Sequence, residues 1–243
     1  AESAPFVRAA RARGASVLVF PVTRIVEPAS WTECDGALRR LGEYDAVAFV
    51  SAHGVRAFFD RCRRLGIPPA VLEGRRYPAV GPATAREIER AGLKAEPLPP
   101  VFTATALAES LGAWAGSGRG FLLPRGDLGR TDLERGLAAS GARTESIVVY
   151  RTVPAEPPDA DAVCDRLARG GVDVVVFASP SAVAAFRGLW RGRAGGRMPA
   201  RIAVLGPTTA EAVVEAGWEP SIRPARATMA DLLETIEDVC REG

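Results

Sequence analysis

The chain has 243 residues, 47% of them hydrophobic and 25% charged, with a net charge of +2. That length suits one large or two small domains with a sizeable core, and the composition is globular, not disordered. Near charge balance argues against a dedicated nucleic-acid or membrane surface, and no apolar run approaches the roughly 18 residues of a membrane span.

The basic residues are almost all arginine, with Lys94 the only lysine. Guanidinium forks match carboxylates well. Cys34, Cys62, Cys164 and Cys240 are scattered and form no C-x-x-C, so neither a disulfide framework nor a zinc site is expected, and all four read as reduced core thiols. No signal-peptide pattern opens the sequence, and a cytoplasmic protein is expected.

Residues 3–13 have Ala-rich helical spacing. Residues 15–21 (A-S-V-L-V-F-P) read as a buried strand that runs on through Val22, Ile25 and Val26 toward Pro28. A helix ahead of the first strand is unusual in a parallel α/β unit, so a further strand upstream of Ala1 is expected. Residues 30–41 follow as a helix with Trp31 and Leu38 on its apolar side, and 44–51 (Y-D-A-V-A-F-V-S) as a strand ending in a hydroxyl. Residues 53–65 read as a helix stopped by Gly66 and Pro68-Pro69. Gly81-Pro82 then makes a turn into a helix over 83–91, closed by Gly92. A short strand at 95–98, a helix at 103–114, a strand at 120–124, a helix at 131–140 and a long strand at 143–153 come next. A Pro-rich connection (154–158) leads to a helix at 159–169, a strand at 172–179 (V-D-V-V-V-F-A-S) and a helix at 181–190. Past a basic, Gly-rich loop (191–198), Gly206-Pro207 opens a helix ending near Gly217, with a short strand at 221–223 and a last helix at 228–239. This alternation indicates α/β architecture with parallel sheets flanked by helices.

One unit is written twice. V-A-F-V-S (47–51) corresponds to V-V-F-A-S (175–179), Gly81-Pro82 to Gly206-Pro207, Thr84 to Thr209, and Ala91-Gly92 to Ala216-Gly217. Thr103, Leu107 and Leu111 correspond to Thr228, Leu232 and Ile236. A single Gly-Pro turn is ordinary strand-to-helix punctuation, with Gly permitting a sharp backbone and Pro tolerated in the first helical turn. Its duplication with matching surroundings asks for more. Helix starts present free N–H groups and a positive dipole end that suit anions. Hydroxyls at the carboxyl ends of parallel strands lie where open α/β sheets bind ligands, and two such rims facing each other would make a cleft between domains.

Other chemistries lack their residues. Ser51 and Ser179 have no G-x-S-x-G elbow, and His53, the only histidine, reads as a helix-start or surface residue. Metal-ligand spacing, a P-loop lysine and G-x-G-x-x-G are all missing from the sequence. Arg125-Gly126-Asp127 matches an adhesion tripeptide by chance. What remains is a set of hydroxyls, helix starts and arginines (Arg125, Arg130, Arg151), suited to a ligand bearing many carboxylates. Each helix-start contact is worth about 0.3–1 kcal/mol, so several are needed. Tyr150 is the plausible proton donor, though a half-buried strand tyrosine would look the same.

In order and spacing, the segments F-V-S-A-H-G-V (49–55), V-G-P-A-T-A (80–85), L-L-P-R-G-D-L-G-R (122–130), G-A-R-T-E-S-I-V-V-Y-R-T (141–152), F-A-S-P-S-A-V (177–183) and L-G-P-T-T-A (205–210) resemble the uroporphyrinogen-III synthase family. The resemblance implies two parallel-sheet α/β domains joined by a two-stranded connector: a discontinuous domain of residues 1–20 and 155–243, an inserted domain of 28–149, and connectors at 21–27 and 150–154. It implies cyclisation of the linear tetrapyrrole hydroxymethylbilane, with loss of water and inversion of ring D, and no cofactor or metal. Tyr150 matches the connector tyrosine proposed as general acid. Thr84, Ser179, Ser181 and Thr209 match hydroxyls that bind acetate and propionate groups, with Gly81, Gly206 and Thr208 around them. Ser51, Thr103, Arg125, Arg130 and Thr228 extend the set. A monomer is expected, with at most transient contact with the preceding pathway enzyme, and no nucleic-acid or membrane partner. Two rivals share the scaffold: a non-catalytic tetrapyrrole- or small-ligand-binding regulatory domain, and a two-domain solute-binding protein.

Overall fold

A computed structural model describes residues 4–116 and 118–241. The chain divides into two compact units, Ala1–Arg24 with Val153–Gly243, and Ile25–Thr152.

Helix α1 (Ala4–Ala12) opens the described chain. Residues 15–21 do not form the expected buried strand, and Leu18 and Val19 are about half exposed (48% and 50%). An apolar run becomes a strand only when its N–H and C=O groups find a ladder partner. Here the Ala15 N–H turns back to the Ala10 carbonyl at 3.1 Å, and the Val17 carbonyl accepts from Arg11 at 3.2 Å. Strand β1 (Thr23–Val26) follows.

The Ile25–Thr152 unit continues with α2 (Thr32–Arg39), β2 (Ala46–Val47), α3 (Ala52–Arg64), α4 (Pro69–Glu73), α5 (Pro82–Arg90), α6 (Ala104–Ala115), β3 (Gly120–Gly126), α7 (Asp132–Ala139) and β4 (Arg143–Pro154). Its sheet runs β1-β4-β3-β2, with β2, β3 and β4 parallel. Three expectations need correction, and proline explains each. The strand expected at 44–51 shrinks to β2 and a bridge from Phe49 to Ala79, because Pro78 has no N–H with which to extend a ladder. Residues 95–98 are not a strand; Glu96 donates to the Tyr77 carbonyl at 3.1 Å, while Pro97, Pro99 and Pro100 have nothing to donate. Pro69 does more than end α3: it opens α4 from the first helical position.

Alternate residues of β3 feed two cores. Leu122 packs with Leu38, Phe58 and Ile88 on the α2, α3 and α5 side, and Phe121 and Leu123 pack with Leu107, Leu111 and Leu137 on the α6 and α7 side. Helices therefore cover both faces, as a parallel sheet requires.

The other unit resumes with α8 (Ala160–Ala168), β5 (Val174–Phe177), α9 (Pro180–Trp190), β6 (Arg201–Val204), α10 (Pro207–Glu215) and α11 (Met229–Arg241). β5 and β6 pair in parallel, and the strand expected at 221–223 is reduced to a parallel bridge between Ile222 and Ala203. Phe177, Phe186, Trp190 and Trp218 build the larger core, while Ala203, Ile222 and Leu232 seat α11. Cys34, Cys62 and Cys164 are buried free thiols, but Cys240 is exposed, near the end of α11. Burial pushes the Cys34 and Cys62 thiols up to about 12.

Candidate active site

In the Ile25–Thr152 unit the parallel strands end on one edge, and the chain leaving that edge carries the candidate groups. Ser51 follows the β2 segment and caps α3, its Oγ accepting the Gly54 N–H at 2.9 Å. That satisfies a helix-start donor that has no partner within the helix. Tyr150 lies far along the chain in β4, where its hydroxyl meets Ser51 Oγ at 3.2 Å and either oxygen can donate. The His53 ring lies 5.8 Å from the Tyr150 ring, centroid to centroid, from the first turn of α3. The loop after β3 closes around the same strand. Asp127 donates its N–H to the Tyr150 carbonyl at 3.1 Å, and its Oδ1 accepts the Thr152 N–H at 3.0 Å.

The remaining candidates of this unit are spread around the edge. Gly81 caps α5 in extended backbone (φ −171°), which any residue adopts, so the sharp turn expected of it is not the reason for a glycine. The nearest obstacle to a side chain there is Phe102, whose Cβ would sit 3.4 Å from an added methyl group. Thr103 is exposed and caps α6, accepting the Ala106 N–H at 3.1 Å. Arg125 donates through Nη1 to the Gly129 carbonyl at 2.5 Å and keeps a buried Nε without a partner. Arg130 is exposed and holds Asp132 at 2.6 Å, so its charge is engaged at the start of α7.

In the other unit, Ser179 caps α9 by accepting the Ala182 N–H at 3.3 Å, and its Oγ meets Ser181 Oγ at 3.1 Å. Gly206 caps α10 in extended backbone (φ −157°), with the Ala227 methyl beside it, next in chain to Thr228. Thr208 is half-buried in the first turn of α10. Thr228 accepts the Asp231 N–H at 3.1 Å and donates to the Asp231 carboxylate at 2.7 Å. Thr84 and Thr209 are repeat-equivalent and, among the described residues, are the polar side chains fully buried, 4% and 3% exposed. A ligand outside finds little of either; their neighbours Pro82, Ala83 and Pro207 are what α5 and α10 expose at their starts.

A pocket of about 210 Å³ adjoins Tyr150 between β1, β4 and α3, walled by Trp31, Arg61, Arg64, Glu27 and Val149. Arg61 lies 4.6 Å over the Trp31 ring and grips Asp35 with two bonds of 2.7 and 2.6 Å. That guanidinium holds the Asp35 carboxyl below the usual range, and Arg64 and Trp31 do the same for Glu27. Among the described residues no group of three or more His, Cys, Asp and Glu side chains could hold a metal ion.

Sequence reasoning sets His53 aside and passes over Gly126, the residue opposite Tyr150 in the ladder. The available signal was R-G-D-L-G-R itself, where a strand runs into a loop through glycine.

These features define a two-unit parallel α/β protein whose helix starts and hydroxyls gather at the strand ends. Residues 4–234 match the family model of uroporphyrinogen-III synthase HemD, and the chain belongs to that family. It is 30% identical to a uroporphyrinogen-III synthase of Chlorobaculum parvum over 226 residues, covering 92% of this chain and 89% of the relative. It is 28% identical to one of Synechococcus elongatus, covering 99% and 92%. A mutant uroporphyrinogen III synthase of Thermus thermophilus, solved as a crystal structure, superposes with a TM-score of 0.64 at 22% identity, covering 100% of this chain and 96% of that one, which shows the shared fold.

Proposed function

We infer that the chain is a uroporphyrinogen-III synthase, cyclising hydroxymethylbilane with loss of water and inversion of the last pyrrole ring. The observation that carries the chemistry is the Tyr150–Ser51 contact of 3.2 Å beside the start of α3. In this reading Tyr150 gives its proton to the hydroxymethyl oxygen as the C–O bond breaks, and water leaves. The pyrrole nitrogen's electron pair supports the azafulvene that remains. Ser51 donates to the phenol oxygen, and the positive end of α3 favours the charge that develops there. The substituted α carbon of the last ring attacks the azafulvene methylene carbon to give a spiro-pyrrolenine. Its bond to the original bridge carbon then breaks, and the ring's free α carbon recaptures that bridge carbon, which leaves the ring inverted. Rearomatisation releases a proton, which returns to Tyr150. Acid and base work balance, and the net loss is water.

Most of the task is positioning: an unguided chain closes directly to the uninverted isomer, so the protein must hold the reactive ends in the inverting geometry. The substrate's acetate and propionate groups need many modest donors, and each unit offers its own: Thr103, Arg125 and the helix start at Gly81 in the Ile25–Thr152 unit, and Ser179, Ser181, Thr208 and the start at Gly206 in the other. The single protons of Ser51 and Thr228 are engaged by Tyr150 and by Asp231. Buried Thr84 and Thr209 support those starts from beneath. Arg130 contributes by leaving Asp132 for a carboxylate of the substrate. The test is conversion of enzymatically generated hydroxymethylbilane by the purified protein. The III isomer is expected; the I isomer alone, with folded protein present, overturns the assignment.

A further inference from the structure

We propose that Gly126 is a positioning residue for the Tyr150 hydroxyl: it leaves the space that lets the phenol reach Ser51. The proposal rests on the reading of Tyr150 as proton donor. Along β3 and β4 the pairing is regular up to Arg125 opposite Val148, then shifts so that Gly126 faces Tyr150 and Val149 becomes the extra residue. Such an irregularity at a strand end re-aims the side chains that follow it. Here it brings the Tyr150 ring against Gly126, which has no side chain in its way. A Cβ built on Gly126 would lie 2.6 Å from Cε2, 2.7 Å from Cζ and 2.9 Å from the hydroxyl oxygen of Tyr150. No side chain fits at those distances. Gly126 is not among the positive-φ glycines, so what it supplies is room, not an unusual backbone.

The direction of the consequence follows from what is fixed. Ser51 cannot follow a moving phenol, because its Oγ is tied to the Gly54 N–H at 2.9 Å. The Tyr150 backbone is held by the Asp127 N–H at 3.1 Å. The movable part is the ring, which has the His53 ring 5.8 Å away, centroid to centroid. A methyl group at position 126 is therefore accommodated by swinging the ring, which breaks the 3.2 Å contact with Ser51 while the sheet stays paired. Gly126 acts on the reaction only through where it lets the Tyr150 oxygen sit.

The test is steady-state kinetics of Gly126→Ala, Tyr150→Phe and the double variant on enzymatically generated hydroxymethylbilane. Gly126→Ala is expected to lower kcat by about 10–100-fold, the scale of an ångström-level misplacement, with KM and thermal midpoint close to the parent's. In the Tyr150→Phe background it should cost nothing further. Full activity of Gly126→Ala, or an equal loss in both backgrounds, overturns the proposal while leaving the reading of Tyr150 intact. Full activity of Tyr150→Phe sinks that reading and this proposal with it. Should Gly126→Ala not fold, circular dichroism of Tyr150→Ala/Gly126→Ala decides: a folded double variant supports the steric link, and an unfolded one refutes it.

Discussion

At the scale of single residues, the phenol and the serine divide two kinds of work that mutation can separate. Tyr150 adds little to the fold through its hydroxyl, since that group bonds Ser51 at the edge of the sheet, not in a core. Tyr150→Phe should lower turnover by about 10²–10⁴-fold, the usual worth of a general acid, with an unchanged thermal midpoint. Unchanged turnover would remove the proton-donor role. Ser51 has two partners, the phenol and the Gly54 N–H. Ser51→Ala should therefore slow turnover and also lower stability, by about 0.5–2 kcal/mol for a lost cap, measured by urea unfolding. A variant as stable as the parent would mean that the cap is dispensable. Both residues are visible in the sequence, Ser51 through its place after an apolar strand and Tyr150 through its place in the long strand. Their meeting is not, because it joins residues 99 apart and depends on a one-residue shift in the β3–β4 ladder. Propensity is local, whereas register is set by the partner strand.

Elements show the same division between local and non-local causes. Apart from α4, which the sequence hid behind a Pro-Pro stop, helices are legible to within a residue or two because caps, glycine stops and apolar spacing act within a few residues: α5 and α10 both start at Gly-Pro and both end before a positive-φ glycine, Gly92 (83°) and Gly217 (85°). Strands are legible only where a partner exists, which is why residues 15–21 and 95–98 mislead, one lacking a ladder and the other lacking donors. Helix packing is the least legible, and Gly136 shows why. It lies inside α7, where glycine is intrinsically poor, yet a Cβ there would sit 2.6 Å from the Ala108 methyl of α6. Close approach of the two helices outweighs propensity. Gly136→Ala should therefore destabilise, by about 1–3 kcal/mol for overpacking, although alanine is the better helix former. Moving the methyl group across the interface, Gly136→Ala with Ala108→Gly, should restore much of the loss in thermal unfolding. A stabilised single variant would show that the helices part without cost.

For the whole molecule, the duplication gives each unit equivalent helix starts, but charge is distributed unequally between them. Carboxylates held below their ordinary range are Glu27, Asp35, Asp45, Glu96 and Asp132 in the Ile25–Thr152 unit, and Asp231 in the other. Fully exposed pairs count for little, so Asp35 with Arg61, Asp45 with the Gly120 N–H and Arg119, and Glu96 with Arg76 carry the effect. A carboxylate whose pKa is depressed by folding contributes stability that is fully present above its unfolded pKa. That stability is lost as pH falls through the folded value. The Ile25–Thr152 unit should therefore weaken first as pH drops below about 4, where unperturbed carboxylates begin to protonate. Pepsin is active in that range and cuts opened chain, so mass mapping of its earliest products reads which unit yields. First cuts are expected within residues 25–152, and Asp35→Asn should slow their further acceleration with acid because one of the protonating groups is already neutral. First cuts within 153–241 would mean that ion pairing does not set the acid limit. In that case the thinner sheet of the other unit, two strands and a bridge, would be the weaker structure.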